Sequence, residues 1–304
     1  MRAANLVLRI FVLCLAFTGI ANAANTPQLT FKFRKAHVPG VRGALPSVIN
    51  NNGVQVGFYY QDKQRAYHGY MFDGTNLTLL DDPNGTNTQP QSIPFNNESE
   101  VVGFYTNFDG ISVGFLYDVA TQQFTDIPGP AGATSSAAEG INDKGWISGF
   151  YTDSSGVTHG FLLQGATYTT LDPPRTRGTF AYGINNNGDV AITWLNRRGF
   201  YEGSLYNYST NTYKTINVPG ATGGSEASFI NNEGDITFWW FDSNYLLHGA
   251  LYTNYSRKRF KFYTFNYPNA YQTLANGIND NNVFTGQFET QEDSPIRGYI
   301  ATFK

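Results

Sequence analysis

Cysteine is almost absent from this chain, since Cys14 is the only one among 304 residues. A single thiol cannot form an intramolecular disulfide, and the chain after position 23 has no thiol for catalysis or metal binding. The fold must therefore be held together by an apolar core, and the chain is long enough to bury a sizeable one.

Charged residues are also scarce, at 14% of the chain, with 20 Lys and Arg against 23 Asp and Glu. The net charge of −3 argues against nucleic acid as a partner, because neutralising phosphates requires clustered basic side chains. By contrast, aromatic residues reach 16% and there are 32 glycines. Such a composition is typical of an all-β protein with many turns.

Sequence motifs for catalysis are missing as well. The chain contains no G-x-S-x-G, no H-E-x-x-H and no phosphate-binding loop. We therefore predict no catalytic residues, no metal site and no cofactor. A pair of carboxylates that meets only in the folded chain stays open, because a sequence does not show which acids converge.

Long apolar runs are absent except at the start of the chain. Arg2 and Arg9 precede an apolar run over 10–20, which ends in Ala-Asn-Ala at 21–23. This order predicts a secretory signal peptide over 1–23 that is cleaved before Ala24, with an uncleaved anchor as the alternative. The run is short for a membrane span. We predict a secreted or periplasmic protein with no stable membrane insertion after cleavage.

The chain does contain a repeat. An apolar residue, an Asn and a short polar turn recur six times, with the Asn at Asn50, Asn96, Asn142, Asn185, Asn231 and Asn279. The steps are 43 to 48 residues long, which indicates an array of one supersecondary unit. The Asn-rich turns hold too few carboxylates for calcium, and turn chemistry explains them without an ion.

Each repeat predicts four short strands. In the third copy, runs over 136–142, 146–152, 158–163 and 168–172 are separated by turns that contain Gly145, Gly156 and Gly165. A proline then begins the crossing to the next copy. The predicted repeats span approximately 43–85, 86–132, 133–178, 179–223, 224–271 and 272–304.

The two ends of the array predict a closed ring. The sixth copy stops after its third strand, whereas the segment 31–40 matches the fourth strands of the other copies. This segment can complete the last sheet and close the ring without an open edge. An open solenoid would require capping repeats, and none is visible. We predict an all-β, six-bladed β-propeller over 24–304, as a single domain and a monomer.

Three histidines occupy equivalent positions in alternate copies. His68, His159 and His248 each precede the glycine that opens the third strand. In a ring they would be too far apart to share one ion. We expect each to bond a neighbouring loop of its own blade.

One aromatic residue per copy lies near the end of the second strand: Tyr59, Tyr105, Tyr151, Trp194, Trp240 and Phe288. If these rings reach the mouth of the central funnel, they form a surface suited to stacking on sugars. The alternative is that large aromatic side chains fill the space between blades. We predict these six as the ligand-binding residues.

The repeated pattern resembles the HAF-type extracellular repeat family. The best-matching segments are GINDKGWISGFY, VTHGFLLQG and YTTLDPP, and the resemblance covers essentially all of the chain after the signal. The fourth and fifth copies depart from it, because Ile192 and Phe238 replace the glycine of the second strand. The resemblance implies an exported bacterial protein with a propeller-like fold, and it implies no assigned activity.

These observations predict a non-catalytic binding module for a glycan or another cell-surface polymer. The first alternative is a polysaccharide lyase or glycoside hydrolase with its site in the axial funnel. The departing copies are where such a site is expected, at Arg197, Arg198, Glu202, Glu226 and Asp242. The second alternative is a protein–protein interaction scaffold, with a cell-envelope protein as the partner.

Overall fold

The computed structural model describes residues 29–61, 66–97, 99–254 and 259–304. The predicted signal peptide lies outside these residues. Across them the chain forms 24 β-strands in six four-stranded antiparallel sheets. The six sheets form a ring, so the prediction of a six-bladed β-propeller is confirmed. In the same ranges, no helix is long and apolar enough to cross a bilayer.

Strand β1 (Phe31–Lys35) precedes the first blade. Blade I contains β2 (Leu45–Ile49), β3 (Gln55–Gln61), β4 (Ala66–Phe72) and β5 (Leu77–Leu80). Blade II contains β6 (Gln89–Ser92), β7 (Glu100–Thr106), β8 (Ser112–Asp118) and β9 (Gln123–Ile127). Blade III contains β10 (Ser135–Ile141), β11 (Ile147–Thr152), β12 (Thr158–Gln164) and β13 (Thr167–Leu171).

The second half of the ring repeats this arrangement. Blade IV contains β14 (Thr179–Ile184), β15 (Val190–Leu195), β16 (Tyr201–Asn207) and β17 (Thr212–Thr215). Blade V contains β18 (Ser225–Ile230), β19 (Ile236–Phe241), β20 (Leu247–Thr253) and β21 (Lys261–Phe265). Blade VI begins with β22 (Gln272–Ile278), β23 (Val283–Glu289) and β24 (Arg297–Phe303).

Blade VI takes its fourth strand from the other end of the chain. β1 pairs with β24 in antiparallel register, from Phe31 opposite Phe303 to Lys35 opposite Tyr299. The rings of Phe31 and Phe33 also lie 4.7 and 5.8 Å from the ring of Phe265 in blade V. The predicted closure by the N-terminal strand is therefore confirmed.

The first strand of each blade lies innermost. Each of these strands contacts the first strands of both neighbouring blades, which places the six around one axis. Second strands lie one step away from the axis, and fourth strands form the outer edge. Side chains between the blade faces make the core, so each blade is buried on both sides.

In each blade, one residue of the second strand and the residue directly opposite it on the third strand fill a single space in the core. Where one of the two is large, the other is small. In four blades a second-strand glycine faces a large aromatic residue, in the pairs Gly57–Tyr70, Gly103–Phe115, Gly149–Phe161 and Gly286–Tyr299. A Cβ on Gly149 would lie 2.7 Å from the ring of Phe161. In blades IV and V the large residue is on the second strand, in the pairs Ile192–Ser204 and Phe238–Ala250. In the fourth and fifth copies, the larger residue of the pair thus lies on the second strand instead of the third.

The repeated Asn joins neighbouring blades. The Oδ1 atom of Asn231 accepts hydrogen bonds from the backbone N–H groups of Glu233 (3.1 Å) and Asp235 (2.8 Å). Its Nδ2 group donates to the carbonyl of Asn279 in the next blade (3.1 Å). Asn142, Asn185 and Asn279 repeat all three bonds, each to the Asn of the next blade. A belt of buried amides therefore surrounds one end of the axis.

Asn96 is an exception to the predicted alignment. Its backbone N–H and its Nδ2 group bond the Asp143 carboxylate (2.9 and 2.7 Å). This is the position that follows the belt Asn in the other copies. The connection in blade II runs over 93–99, against 142–146 in blade III, and the longer loop moves Asn96 outward. Asn96 belongs to a second, more exposed ring with Asn51, Asp143, Asn186, Asn232 and Asp280.

Candidate functional site

The six predicted aromatic residues lie in six separate blades, one strand away from the axis. No two of their rings contact each other, since each packs within its own part of the ring. Tyr105 and Phe288 are each only 3% exposed. The other four are half-buried: Tyr59, Tyr151, Trp194 and Trp240. These four lie near the turns between second and third strands, at the end of the ring opposite the amide belt.

In blades I, III and V the aromatic ring is covered by the predicted histidine. The ring centroids of Tyr151 and His159 are 5.2 Å apart, and those of Trp240 and His248 are 4.7 Å apart. Tyr59 lies against its histidine in the same way, at 5.5 Å. Each pair is directly opposite on neighbouring strands. One face of each aromatic ring is therefore occupied by the protein itself.

Loops of the same blade hold these histidines. His159 places Nδ1 2.6 Å from Asp172 and Nε2 3.3 Å from Asp153. Burial of the ring opposes its charged form, but the hydrogen bonds to Asp172 and Asp153 outweigh burial and raise the pKa of His159. His68 and His248 have matching partners in Asp81, Asn266 and Asp242. The histidines thus fasten loops, and in the described ranges no group of three or more His, Cys, Asp or Glu is arranged to hold a metal ion.

Blades II and VI bury their aromatic residue completely. The Tyr105 hydroxyl donates to Asp126 (3.1 Å), and burial, with the Asp126 charge, raises the pKa of Tyr105 to about 12. Phe288 stacks on Tyr267 with centroids 3.7 Å apart. These two residues pack between blades, which is the alternative role stated for the aromatic set.

Blade IV differs from all the others. Glu202 stands opposite Trp194, where blades III and V have histidine. The Trp194 indole Nε1–H donates to Ser204 Oγ (3.0 Å), and Glu202 Oε1 accepts from Asn196 Nδ2 (2.6 Å). These bonds fix the indole and the carboxylate, and among the described residues no aromatic or histidine ring stacks on the half-buried Trp194.

A recess of about 440 Å³ opens beside this indole. We call it the Trp194 recess, and its walls come from three segments: the crossing over 173–175, the turn over 196–198, and the strand residues Trp194, Glu202, Tyr213 and Thr215. A second hollow of about 290 Å³ adjoins it and shares Asn196, Arg198 and Glu202. The recess combines an aromatic wall with carboxylate, amide and guanidinium groups, which are the side chains that bind sugars through stacking and hydrogen bonds.

A second polar cluster lies on the innermost strands of three consecutive blades. Glu139 on β10 and Glu226 on β18 are 5% and 6% exposed. Glu226 is hydrogen-bonded to the Tyr182 hydroxyl on β14, and Glu139 interacts with the same hydroxyl electrostatically. Burial raises the pKa of Glu139 to about 8. Burial likewise raises the pKa of Glu226 to about 8, against an opposing hydrogen bond from Tyr182. Both carboxyl groups are therefore mostly protonated at neutral pH.

This cluster makes stability depend on pH. In the unfolded chain both acids titrate near 4.5, whereas in the folded chain they titrate near 8. Between these values the folded state holds more protons, so the free energy of unfolding falls as the pH rises. We expect thermal unfolding to occur at a lower temperature at pH 8.5 than at pH 5.5, and Glu139→Gln/Glu226→Gln to remove most of that difference. An unchanged difference in the double variant would contradict the assignment.

Part of both clusters was predicted from the sequence. Trp194 was predicted as a binding residue, and Arg197, Arg198 and Glu202 as residues of an enzyme site, whereas Arg175 and Tyr213 were not predicted. Glu226 was predicted and Glu139 was not. The available signal for Glu139 was a lone acid within the strand SSAAEGI, since an acid in a buried strand is rare without a role. Asp242 fastens His248 and belongs to neither cluster.

No protein-family profile and no curated protein sequence matches the chain. Solved structures do resemble it in fold. The TolB protein of Acinetobacter baumannii superposes with a TM-score of 0.57 at 11% identity, over 84% of this chain and 65% of TolB. The present chain therefore spans less than two thirds of that protein.

Two further solved structures match over nearly their whole length. AofleA from Arthrobotrys oligospora gives a TM-score of 0.52 at 10% identity, over 91% of this chain and 92% of AofleA. A mutant of the Aleuria aurantia lectin, solved with α-methyl-L-fucoside, gives 0.51 at 13% identity, over 86% of this chain and 93% of the lectin. At these identities the likeness concerns the fold alone: this chain is a β-propeller of the same general architecture as these proteins.

Proposed function

We propose that this protein is an exported, non-catalytic β-propeller that binds a glycan or another cell-surface polymer. The observation that carries the proposal is the Trp194 recess, where a fixed indole borders a cavity lined with hydrogen-bonding groups. Export follows from the predicted signal peptide, cleaved before Ala24, to the periplasm or the cell exterior. Similarity in fold to a lectin solved with a fucoside supports sugar binding as one use of this architecture, by analogy.

The half-buried aromatic residues of other blades add to this proposal. Tyr59, Tyr151 and Trp240 lie near the same end of the ring as Trp194. Several weak contacts at fixed spacing would give a polymer more affinity than any single contact provides. We therefore place the principal subsite at Trp194 and assign secondary contacts to the other three residues.

The test is retention of the chain from Ala24 to Lys304 on immobilised polysaccharides, with the soluble fraction checked for released oligosaccharide. We expect retention without release. Trp194→Ala should weaken retention at least about tenfold, equivalent to ~1.4 kcal/mol. Trp240→Ala is the matched control, because His248 already covers that indole, and it should have a much smaller effect.

The remaining outcomes each have a defined meaning. If the two tryptophan variants fold and bind like the wild type, the assignment of Trp194 is wrong. If no polysaccharide is retained and a cell-envelope protein is captured instead, the scaffold alternative replaces the glycan proposal. Circular dichroism and thermal unfolding of each variant separate lost binding from lost folding.

The structure also favours one form of the enzyme alternative over others. Glu139 and Glu226 bring two mostly protonated carboxyl groups to the innermost strands, on either side of Tyr182. A carboxyl group with a raised pKa can act as a general acid in glycoside cleavage. The wild type would then release oligosaccharide, Glu226→Gln would not, and Trp194→Ala still would. This result would replace the binding module by an enzyme with its site at the axis.

A further inference from the structure

We propose that the Trp194 recess binds an acidic sugar, a hexuronate unit of a polysaccharide, through its carboxylate. The inference rests on the proposed function and names the substrate class of the same site. Blade IV carries basic side chains in a turn where the neighbouring blades III and V have none.

Three guanidinium groups border the recess. Arg175 belongs to the crossing between blades III and IV, and Arg197 and Arg198 belong to the turn between β15 and β16. All three residues are exposed. Within the described ranges, none of their side chains forms an ion pair or a hydrogen bond. These positive charges are therefore available to a ligand.

In the corresponding turns of blades III and V the only charged residue is an acid, and the positions aligned with the two arginines are neutral. The turn between second and third strands begins with Asp153 in blade III and with Asp242 in blade V, and each acid binds the blade's histidine. In blade IV that turn begins with Asn196, which is followed by the two arginines. The turns over 153–156 and 242–245 contain no basic residue. Blades III and V therefore have an acid–histidine contact in this region, whereas blade IV has two exposed arginines.

The residue after the fourth strand is also uncharged in blade IV. Asp172 holds His159 at this position in blade III, whereas the residue is Asn217 in blade IV and Asn266 in blade V. Glu202 is then the single carboxylate among the residues that line the recess, against three arginines. The recess carries a positive excess on a protein whose net charge is −3. A local positive field of this kind concentrates anionic ligands at the site.

The geometry fits a sugar acid better than a simple anion. Arginine presents a planar fork that pairs with a planar carboxylate through two parallel hydrogen bonds. The Trp194 ring supplies a flat apolar wall for the sugar face. Glu202 is held by Asn196 (2.6 Å) and can accept a hydrogen bond from a sugar hydroxyl. Together these groups match a ring that has an apolar face, hydroxyls and one carboxylate.

The experiment compares polygalacturonate with its fully methyl-esterified form, in which each carboxylate is replaced by a neutral methyl ester on the same sugar backbone. We expect the chain from Ala24 to be retained on the acid and to bind the ester at least about tenfold more weakly. Arg197→Gln/Arg198→Gln should lose that preference. The matched control is Lys32→Gln/Arg34→Gln, which removes two exposed basic side chains from β1, far from the recess in sequence and in a different blade, and it should keep the preference.

Five results would overturn the inference. Equal binding of acid and ester would show that the carboxylate is not recognised. An equal loss in the β1 control would attribute binding to diffuse charge. Retention on dextran sulfate but not on polygalacturonate would assign a sulfated ligand instead. Retention of neutral glycans alone, dependent on Trp194, would leave the proposed function standing, whereas retention of no glycan at all would remove both.

Discussion

Replacing Asn231 by alanine is expected to lower the free energy of unfolding by roughly 3–5 kcal/mol, because each buried polar group left without a partner costs about 1–3 kcal/mol. The side chain is 0% exposed. Its loss orphans the N–H groups of Glu233 and Asp235 and the carbonyl of Asn279. Chemical denaturation, followed by tryptophan fluorescence, measures the change.

Asn96→Ala is the matched control for this experiment. Asn96 occupies the same place in the repeat when the sequence is aligned, but it lies in the exposed outer ring. Its removal should cost less than about 1 kcal/mol, as is usual for exposed polar groups. Similar losses at the two positions would show that the buried amide belt does not carry the stability assigned to it.

The pairing of a large residue with a small one on the opposite strand predicts a loss of stability of similar size in blade V. Phe238→Gly should destabilise the protein by about 3–5 kcal/mol, since it empties a fully buried ring site. The opposite residue is Ala250, which stands where other blades have an aromatic ring. The double variant Phe238→Gly/Ala250→Phe gives blade V the arrangement of blades I, II, III and VI, in which a second-strand glycine faces a third-strand aromatic residue. We expect it to be at least about 2 kcal/mol more stable than Phe238→Gly alone.

The single variant Ala250→Phe completes this cycle. By itself it should be destabilising, by about 1–3 kcal/mol, because it adds a ring to a filled space. Thermal and denaturant unfolding of all four proteins give the coupling energy. If the two single effects simply add in the double variant, the two residues do not share one volume.

The sequence predicted the architecture because its signals were repeated and local. The strand–turn pattern occurs six times, and the orphan segment before the first copy matches the strand missing from the last. The position of Asn96 could not be predicted in the same way. It depends on a longer connection between the first two strands of blade II. When the repeats are aligned by their Asn residues, Asn96 matches the buried Asn of the other blades, although in the structure it takes the place of the residue that follows that Asn. The aromatic residues also looked equivalent in sequence, although their exposure differs between blades.

The site was harder to predict because its residues come from separate segments. Trp194, Glu202 and the two turn arginines are close in sequence, and their departure from the repeat was visible. Arg175 comes from the preceding crossing, and only the packing of one blade on the next places it beside Trp194. Whether a histidine stacks on the aromatic ring also depends on the opposite residue of the third strand, which is histidine in blades I, III and V and glutamate in blade IV. Such pairings follow from strand register, which the periodicity of a single strand does not give.

The shared construction of blade VI has a consequence for how the chain reaches its folded state. β1 pairs with β24 in the folded chain, so the ring closes in this way only after β24 has been synthesised. The loss of entropy on joining such distant segments is large, and contacts of this range form slowly. During that time the rings of Phe31 and Phe33 have no partner strand, while the blades between the two segments can form from local hairpins. We therefore expect β1 to join the fold last, after the five blades that form from contiguous segments.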